Sequence, residues 1–144
     1  MAAKSVTHSV SLMVGDISLN FSDTITSADT ATSFAVQSQV IAHSTTPATL
    51  VTGEVDTSSC NTMIIIRNDE AVQTGANTHY KNLNVSLDNG SNYDIIVKPQ
   101  TSALFSIGSK DGSIGDLTHV KVLSGGNNES VEFRYMLVQT EVTS

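Results

Sequence analysis

The stretch Leu83-Asn84-Val85-Ser86-Leu87-Asp88-Asn89-Gly90-Ser91-Asn92-Tyr93-Asp94-Ile95-Ile96-Val97-Lys98-Pro99 decides the fold class. Leu83, Val85 and Leu87 alternate with polar residues, as do Tyr93, Ile95 and Val97 on the far side of an Asp-Asn-Gly-Ser turn. Alternation at period two is the signature of a half-buried strand. The turn chemistry is tested by parity. A two-residue Asn89-Gly90 loop opposes Val85 to Asp94, whereas an odd loop opposes Val85 to Ile95 and Leu83 to Val97. The odd loop keeps apolar residues on one face, although Asn-Gly ordinarily favours a two-residue turn. Pro99, which lacks a ladder donor, closes the second strand.

The same period runs outward in both directions. Val6, His8, Val10, Leu12 and Val14 share one parity before Gly15-Asp16, and Ile17, Leu19, Phe21 and Ile25 follow it, predicting a hairpin. Between Val36 and Ile41 the apolar parity changes, which predicts a bulge or a bend across residues 37–39. Residues 50–55 read as a short strand. Residues 63–67 read as another, whose unbroken Met63-Ile64-Ile65-Ile66 run implies burial on both faces: a central core strand, or one face in the core and the other in a subunit interface. Further strands are expected over 103–107, near Val120 and Val122, and over 131–142. The sum is about eight to ten short strands. Their economical closure is an all-β fold, an antiparallel two-sheet β-sandwich of jelly-roll type, in one domain over residues 1–144. The first eight residues are expected to form an extended N-terminal arm.

Composition agrees. The 144 residues include 20 Ser, 17 Thr and 10 Asn, while only 15% are charged. Branched Thr, Val and Ile suit a pleated surface more than a helix. Fourteen acidic against seven basic residues give a net charge of −7, and Lys and Arg nowhere cluster. Nucleic acid and anionic membrane, which both require a concentrated positive field, are therefore not expected partners. No apolar run approaches the roughly 18 residues that span a bilayer, and no secretory signal is readable, so synthesis in a cytoplasm is expected. The single Cys60 reads as a small inert residue.

Sites of chemistry are not nominated. Phosphate-binding, dinucleotide, HExxH, CxxC and GxSxG patterns are absent, so no enzyme, cofactor or metal is expected. His8, His43, His79 and His119 are scattered singly, and His119 beside Asp116 is a weak metal pair. The acidic loops over 88–94 and 111–116 lack the order of a calcium-binding loop, and Asp, Asn and Gly are what turns require. Tyr93, Tyr135, Phe105 and Phe133 fall in strand patterns and are expected in the core. Tyr80 is the one aromatic expected to be free, a thin basis for a carbohydrate- or receptor-binding module.

Three segments carry a resemblance: Asn92-Tyr93-Asp94-Ile95-Ile96-Val97-Lys98-Pro99, Ser102-Ala103-Leu104-Phe105-Ser106-Ile107, and Val131-Glu132-Phe133-Arg134-Tyr135-Met136-Leu137-Val138. Together they resemble small structural proteins of tailed bacteriophages, with a strand ending in Lys-Pro, an Ala-Leu-Phe strand and a closing apolar strand. The Gly-Glu that follows Lys-Pro in those proteins is here Gln100-Thr101. The resemblance implies a non-enzymatic virion component: a decoration (cement) protein bound to the major capsid protein or other virion proteins, or else a part of the tail. It also implies a homo-oligomer, by analogy a trimer. The residues proposed for the interface are Ser5, Val6 and His8 of the arm, and Met63, Ile64, Ile65 and Ile66.

Overall fold

The computed structural model describes residues 5–26, 33–42, 44–52, 61–72, 81–107, 117–125 and 129–140. They fall into two compact units, Met1–Thr32 and Ser33–Ser144.

The first unit is one hairpin, β1 (Ser5–Val14) against β2 (Ile17–Thr26), in continuous antiparallel register from Val14↔Ile17 to Ser5↔Thr26. Gly15 turns at φ +58° while Asp16 stays out of the positive-φ region, as in a II′ turn with Gly first. Ser5, Val6 and His8 are therefore rungs of a ladder, paired to Thr26, Ile25 and Asp23, where the sequence suggested a free arm. The alternation that begins at Val6 simply continues through β1.

Among the described residues the second unit holds eight strands: β3 (Ser33–Ile41), β4 (Ala48–Thr49), β5 (Asn61–Asn68), β6 (Leu83–Ser86), β7 (Ile95–Val97), β8 (Ser102–Ile107), β9 (Lys121–Ser124) and β10 (Val131–Thr140). A 3-10 turn, Leu117–His119, precedes β9. The ladders are nested: β3 pairs with β10, β4 with β9, β5 with β8, and β6 with β7, all antiparallel. The chain is thus one long folded hairpin with its tip between β6 and β7. Rolling it up adds the β10–β5 and β6–β9 ladders. The result is an all-β, two-sheet antiparallel sandwich with orders β3-β10-β5-β8 and β4-β9-β6-β7.

The core lies between these sheets. Ile64, Ile66, Val131, Phe133, Tyr135 and Leu137 of the first sheet meet Leu83, Val85, Val97 and Val122 of the second. The Phe133 and Tyr135 rings stack with centroids 5.7 Å apart, and Phe105 packs at the edge of the same cluster. The odd-loop register is observed, Leu83↔Val97 and Val85↔Ile95, but Leu87 and Tyr93 lie beyond the ladder in the connection.

Two local expectations are corrected. β3 has no bulge: its register to β10 runs unbroken from Ile41↔Val131 to Ser33↔Gln139. The parity change arises because Val36 and Val40 face outward and are exposed while Ile41 faces the core. The inward Gln39 accepts from Val51 N at 3.4 Å, and the accepting oxygen lies 3.2 Å from Tyr135 Oη. Of the strand expected over 50–55, residues 50–52 are outside any strand and 53–55 lie outside the described residues, while the two-residue β4 ends before Leu50. Leu50 is buried in the core from a non-strand position.

The assignment of faces on β10 is testable. Phe133→Ala, at a fully buried position, is expected to cost about 3–5 kcal/mol in urea unfolding. Met136→Ala on the opposite face is expected to cost less than about 1 kcal/mol. Equal losses from the two would refute the assignment.

Candidate interaction surface

Strand alternation on the first sheet places a row of apolar side chains outward as well as inward. Met136 of β10 stands directly opposite Val36 of β3 and Ile65 of β5, and Ile65 stands opposite Leu104 of β8. All four are exposed, Ile65 at 42%, and they form an unbroken band across the sheet. Two residues along, the pair Val138 and Met63 ends it, with Val138 buried at 7% exposure and Met63 half-buried. Two residues the other way, the row Ser38, Arg134, Arg67, Ser102 borders it with polar and charged groups.

The four-residue run proposed from sequence is thereby divided. Ile64 and Ile66 have 0% exposure and belong to the core, so they are corrected from interface residues to packing residues. Met63 and Ile65 point outward. A strand's successive side chains take opposite faces, so a continuous apolar run supplies both surfaces at once. Val36, Leu104 and Met136 were missed by the sequence reading. The available signal was the same: Ala103-Leu104-Phe105 and Tyr135-Met136-Leu137-Val138 are also runs without alternation.

The hairpin carries a second apolar face. Val14 pairs with Ile17, Leu12 with Leu19 and Val10 with Phe21, and all six are exposed, Ile17 at 76%. The next row is His8 and Asp23, with Nε2 3.6 Å from Oδ2. The opposite face carries three polar rungs, Thr7 to Thr24 at 2.9 Å, Ser9 to Ser22 at 3.2 Å and Ser11 to Asn20 at 2.6 Å, and then the Met13/Ser18 row, where Met13 is exposed.

Polar groups near the sheet edge are consumed by structure. Arg134 donates through Nε and Nη2 to both Asp69 oxygens, at 2.5 and 2.8 Å, and Arg67 Nε adds a third bond at 3.2 Å. The Arg134 fork holds the Asp69 carboxyl below the ordinary carboxylate range, against the opposing effect of burial. Gln100 sits at φ +60° after Lys98-Pro99, the place in a type II turn that favours glycine. Its amide donates to the Asp69 and Glu70 carbonyls at 3.0 and 2.9 Å and accepts from Arg67 at 3.1 Å. Lys81 Nζ donates to Ser130 O at 2.7 Å and lies 3.1 Å from Glu129 and 3.6 Å from Glu70.

The tip between β6 and β7 is organised by Asp88. Its Oδ1 accepts from Ser86 Oγ at 2.7 Å and from the backbone N–H groups of Asn92 and Ser91 at 2.8 and 3.1 Å, and Oδ2 accepts from Asn92 Nδ2 at 2.6 Å. The Ser86 bond is the main cause that lowers its pKa to about 2. A carboxylate so engaged is a turn organiser, and among the described residues no group of three His, Cys, Asp or Glu side chains is placed to hold a metal ion. His119 lies in the 3-10 turn, partly buried, and its backbone carbonyl accepts from Asn89 N at 2.9 Å. Burial raises the pKa of both Tyr93 and Tyr135. His43, His79, Cys60, Tyr80 and the 111–116 loop lie outside the described residues. Among those described, no helix is long and apolar enough to cross a membrane.

No protein-family model matches the chain, and no curated protein sequence matches it. The two apolar faces are therefore the features from which a function is argued.

The tip makes two predictions. Because the folded Asp88 pKa lies below its ordinary value, its stabilising contribution is present above about pH 4 and is lost as pH falls toward 2. The thermal midpoint is expected to fall across that window, and Asp88→Asn is expected to make the fall shallower. An unchanged acid limb would rule out the role given to Asp88. Gly90 has φ +89°, and an added Cβ would stand 2.8 Å from Pro47 Cγ. Gly90→Ala is thus expected to lose about 1 kcal/mol or more in equilibrium unfolding, and a neutral result would contradict the close approach of Pro47.

Proposed function

We propose that this chain is a non-enzymatic structural protein of a tailed bacteriophage, a capsid decoration (cement) protein that binds and stabilises the assembled head shell. The observation that carries the reading is the outward apolar band Val36, Met136, Ile65 and Leu104 across a four-stranded sheet. A contiguous apolar patch with a polar border suits a protein partner more than water. The strand order supports the same class. Counted within the second unit it is 1-8-3-6 and 2-7-4-5, an order that favours the jelly-roll reading, and jelly rolls are an architecture used by viral shell proteins. The resemblance of residues 92–99, 102–107 and 131–138 to small phage structural proteins adds the biological setting. In this reading the chain is made in the host cytoplasm, forms a homotrimer and resides in the virion, with the major capsid protein as its partner. Neither a cofactor nor a metal has a role in it.

The experiment is binding to undecorated heads of the phage that encodes the chain. The protein is expected to co-sediment with heads at micromolar concentration and raise their melting temperature, and Ile65→Asp is expected to weaken binding at least tenfold. Binding to isolated tails instead of heads would move the protein to the tail. Absence of binding to either, or full binding by Ile65→Asp, would overturn the reading.

A further inference from the structure

Asn89-Gly90 is the one Asn-Gly pair among the chain's 10 Asn residues. It stands at the tip between β6 and β7, with Asn89 exposed. The pair has a covalent chemistry of its own. A glycine has no side chain to shield its backbone nitrogen, so Gly90 N can attack the side-chain carbon Cγ of Asn89. The new N–Cγ bond closes a succinimide ring, the Cγ–Nδ2 bond breaks, and the side-chain amide leaves as ammonia with the proton that Gly90 N gives up. Water then opens the ring at either carbonyl and leaves aspartate or isoaspartate at position 89. No co-reactant but water is needed.

We propose that Asn89 is a latent covalent modification site, closed in the folded chain by the Ser86 hydroxyl and converted through the succinimide whenever the tip between β6 and β7 opens. Ring closure requires a Gly90 amide free to lose its proton, and rotation about the Asn89 backbone that brings Cγ onto Gly90 N. The folded tip withholds both. Gly90 N–H donates to Ser86 Oγ at 2.9 Å. Ser86 is fully buried and its own proton is committed to Asp88 Oδ1 at 2.7 Å, so its oxygen meets Gly90 as an acceptor. An amide anion formed there would face oxygen lone pairs instead of a donor. Rotation is blocked because the backbone is held on both sides of residue 89. Asn89 N donates to His119 O at 2.9 Å, Gly90 N is held by Ser86, and the Pro47 ring leaves so little room that a Cβ on Gly90 would stand 2.8 Å from its Cγ. Asn89 is thereby kept at φ +61°. A connection between short strands opens at lower free energy than the whole fold, and each opening exposes the pair. Conversion is one-way: either product adds a carboxylate one residue from Asp88, and isoaspartate also lengthens the backbone by a methylene, so a converted tip no longer re-forms the same bonds.

The site needs no partner, so it stands or falls apart from head binding. The full chain is incubated in mildly alkaline buffer with and without urea, and fragment-ion mass spectrometry follows the change from amide to acid at each Asn. Asn82, Asn84 and Asn92 precede Leu83, Val85 and Tyr93, whose side chains hinder ring closure, and serve as internal controls. Asn89 is expected to convert at least tenfold more slowly in the folded chain than in urea. Ser86→Ala, with its urea transition showing a folded chain, is expected to convert several-fold faster than wild type at Asn89 and no faster at the three controls. Base-catalysed hydrogen exchange begins with the same loss of the Gly90 amide proton, so that proton is expected to be protected in the wild type. Equal rates at Asn89 with and without urea, an unprotected Gly90 amide, or a folded Ser86→Ala chain that converts no faster would each overturn the proposal. If Ser86→Ala does not fold, the exchange rate at Gly90 in the wild type decides.

Discussion

The second unit depends on the two-faced constraint imposed by β10. This last strand lies between β3 and β5 and is the sole ladder partner of β3. Its inward residues Val131, Phe133, Tyr135 and Leu137 have almost no exposure, and they are the first sheet's main contribution to the core. Because the side-chain period is two, a slip of one residue would exchange these with Glu132, Arg134 and Met136. Register is therefore fixed by the core, and the core's register in turn fixes which residues face out. The apolar band is the other side of the same constraint.

Holding two sheets together also requires that buried polar groups be answered, since an unpaired one costs about 1–3 kcal/mol. Asn68 shows how this is done. It is fully buried at the end of β5, where its amide donates to the Lys81 and Val97 carbonyls at 2.7 and 2.9 Å and its oxygen accepts from Glu70 N at 3.0 Å. One side chain thus joins the first sheet to β7 and to the segment that enters β6. Tyr135 does similar work at the opposite edge, donating to Val51 O at 2.7 Å. In each case a polar side chain replaces the ladder bonds that a chain leaving a strand gives up.

Much of this was legible in the sequence because period two is a local signal. The β1–β2 hairpin, the register of Leu83 with Val97, and the core placement of Phe133 and Tyr135 all follow from parity alone. What was not legible depended on contacts distant in sequence. The Val36-to-Ile41 parity change looks like a bulge until Gln39 is seen to take an inward position through Tyr135 and Val51. Residues 50–52 are apolar enough for a strand, yet the ladder to β9 stops at Thr49. The exposed band was half visible. The run Met63 to Ile66 was read as two-faced, but only the alignment of four strands shows that Val36, Met136, Ile65 and Leu104 stand in one row.

The charge beside the sheet band is balanced within the chain. Arg67 and Arg134 lie in the row next to the band and converge on the carboxylate of Asp69, and Glu132, which also acts on Arg134, supplies a second negative charge. The edges of the second sheet are β4 and β7, of two and three residues, too short to template edge-to-edge pairing. On the hairpin the apolar rows end in the His8–Asp23 pair, 3.6 Å apart, so beside both apolar faces the charged groups are answered by partners of opposite sign.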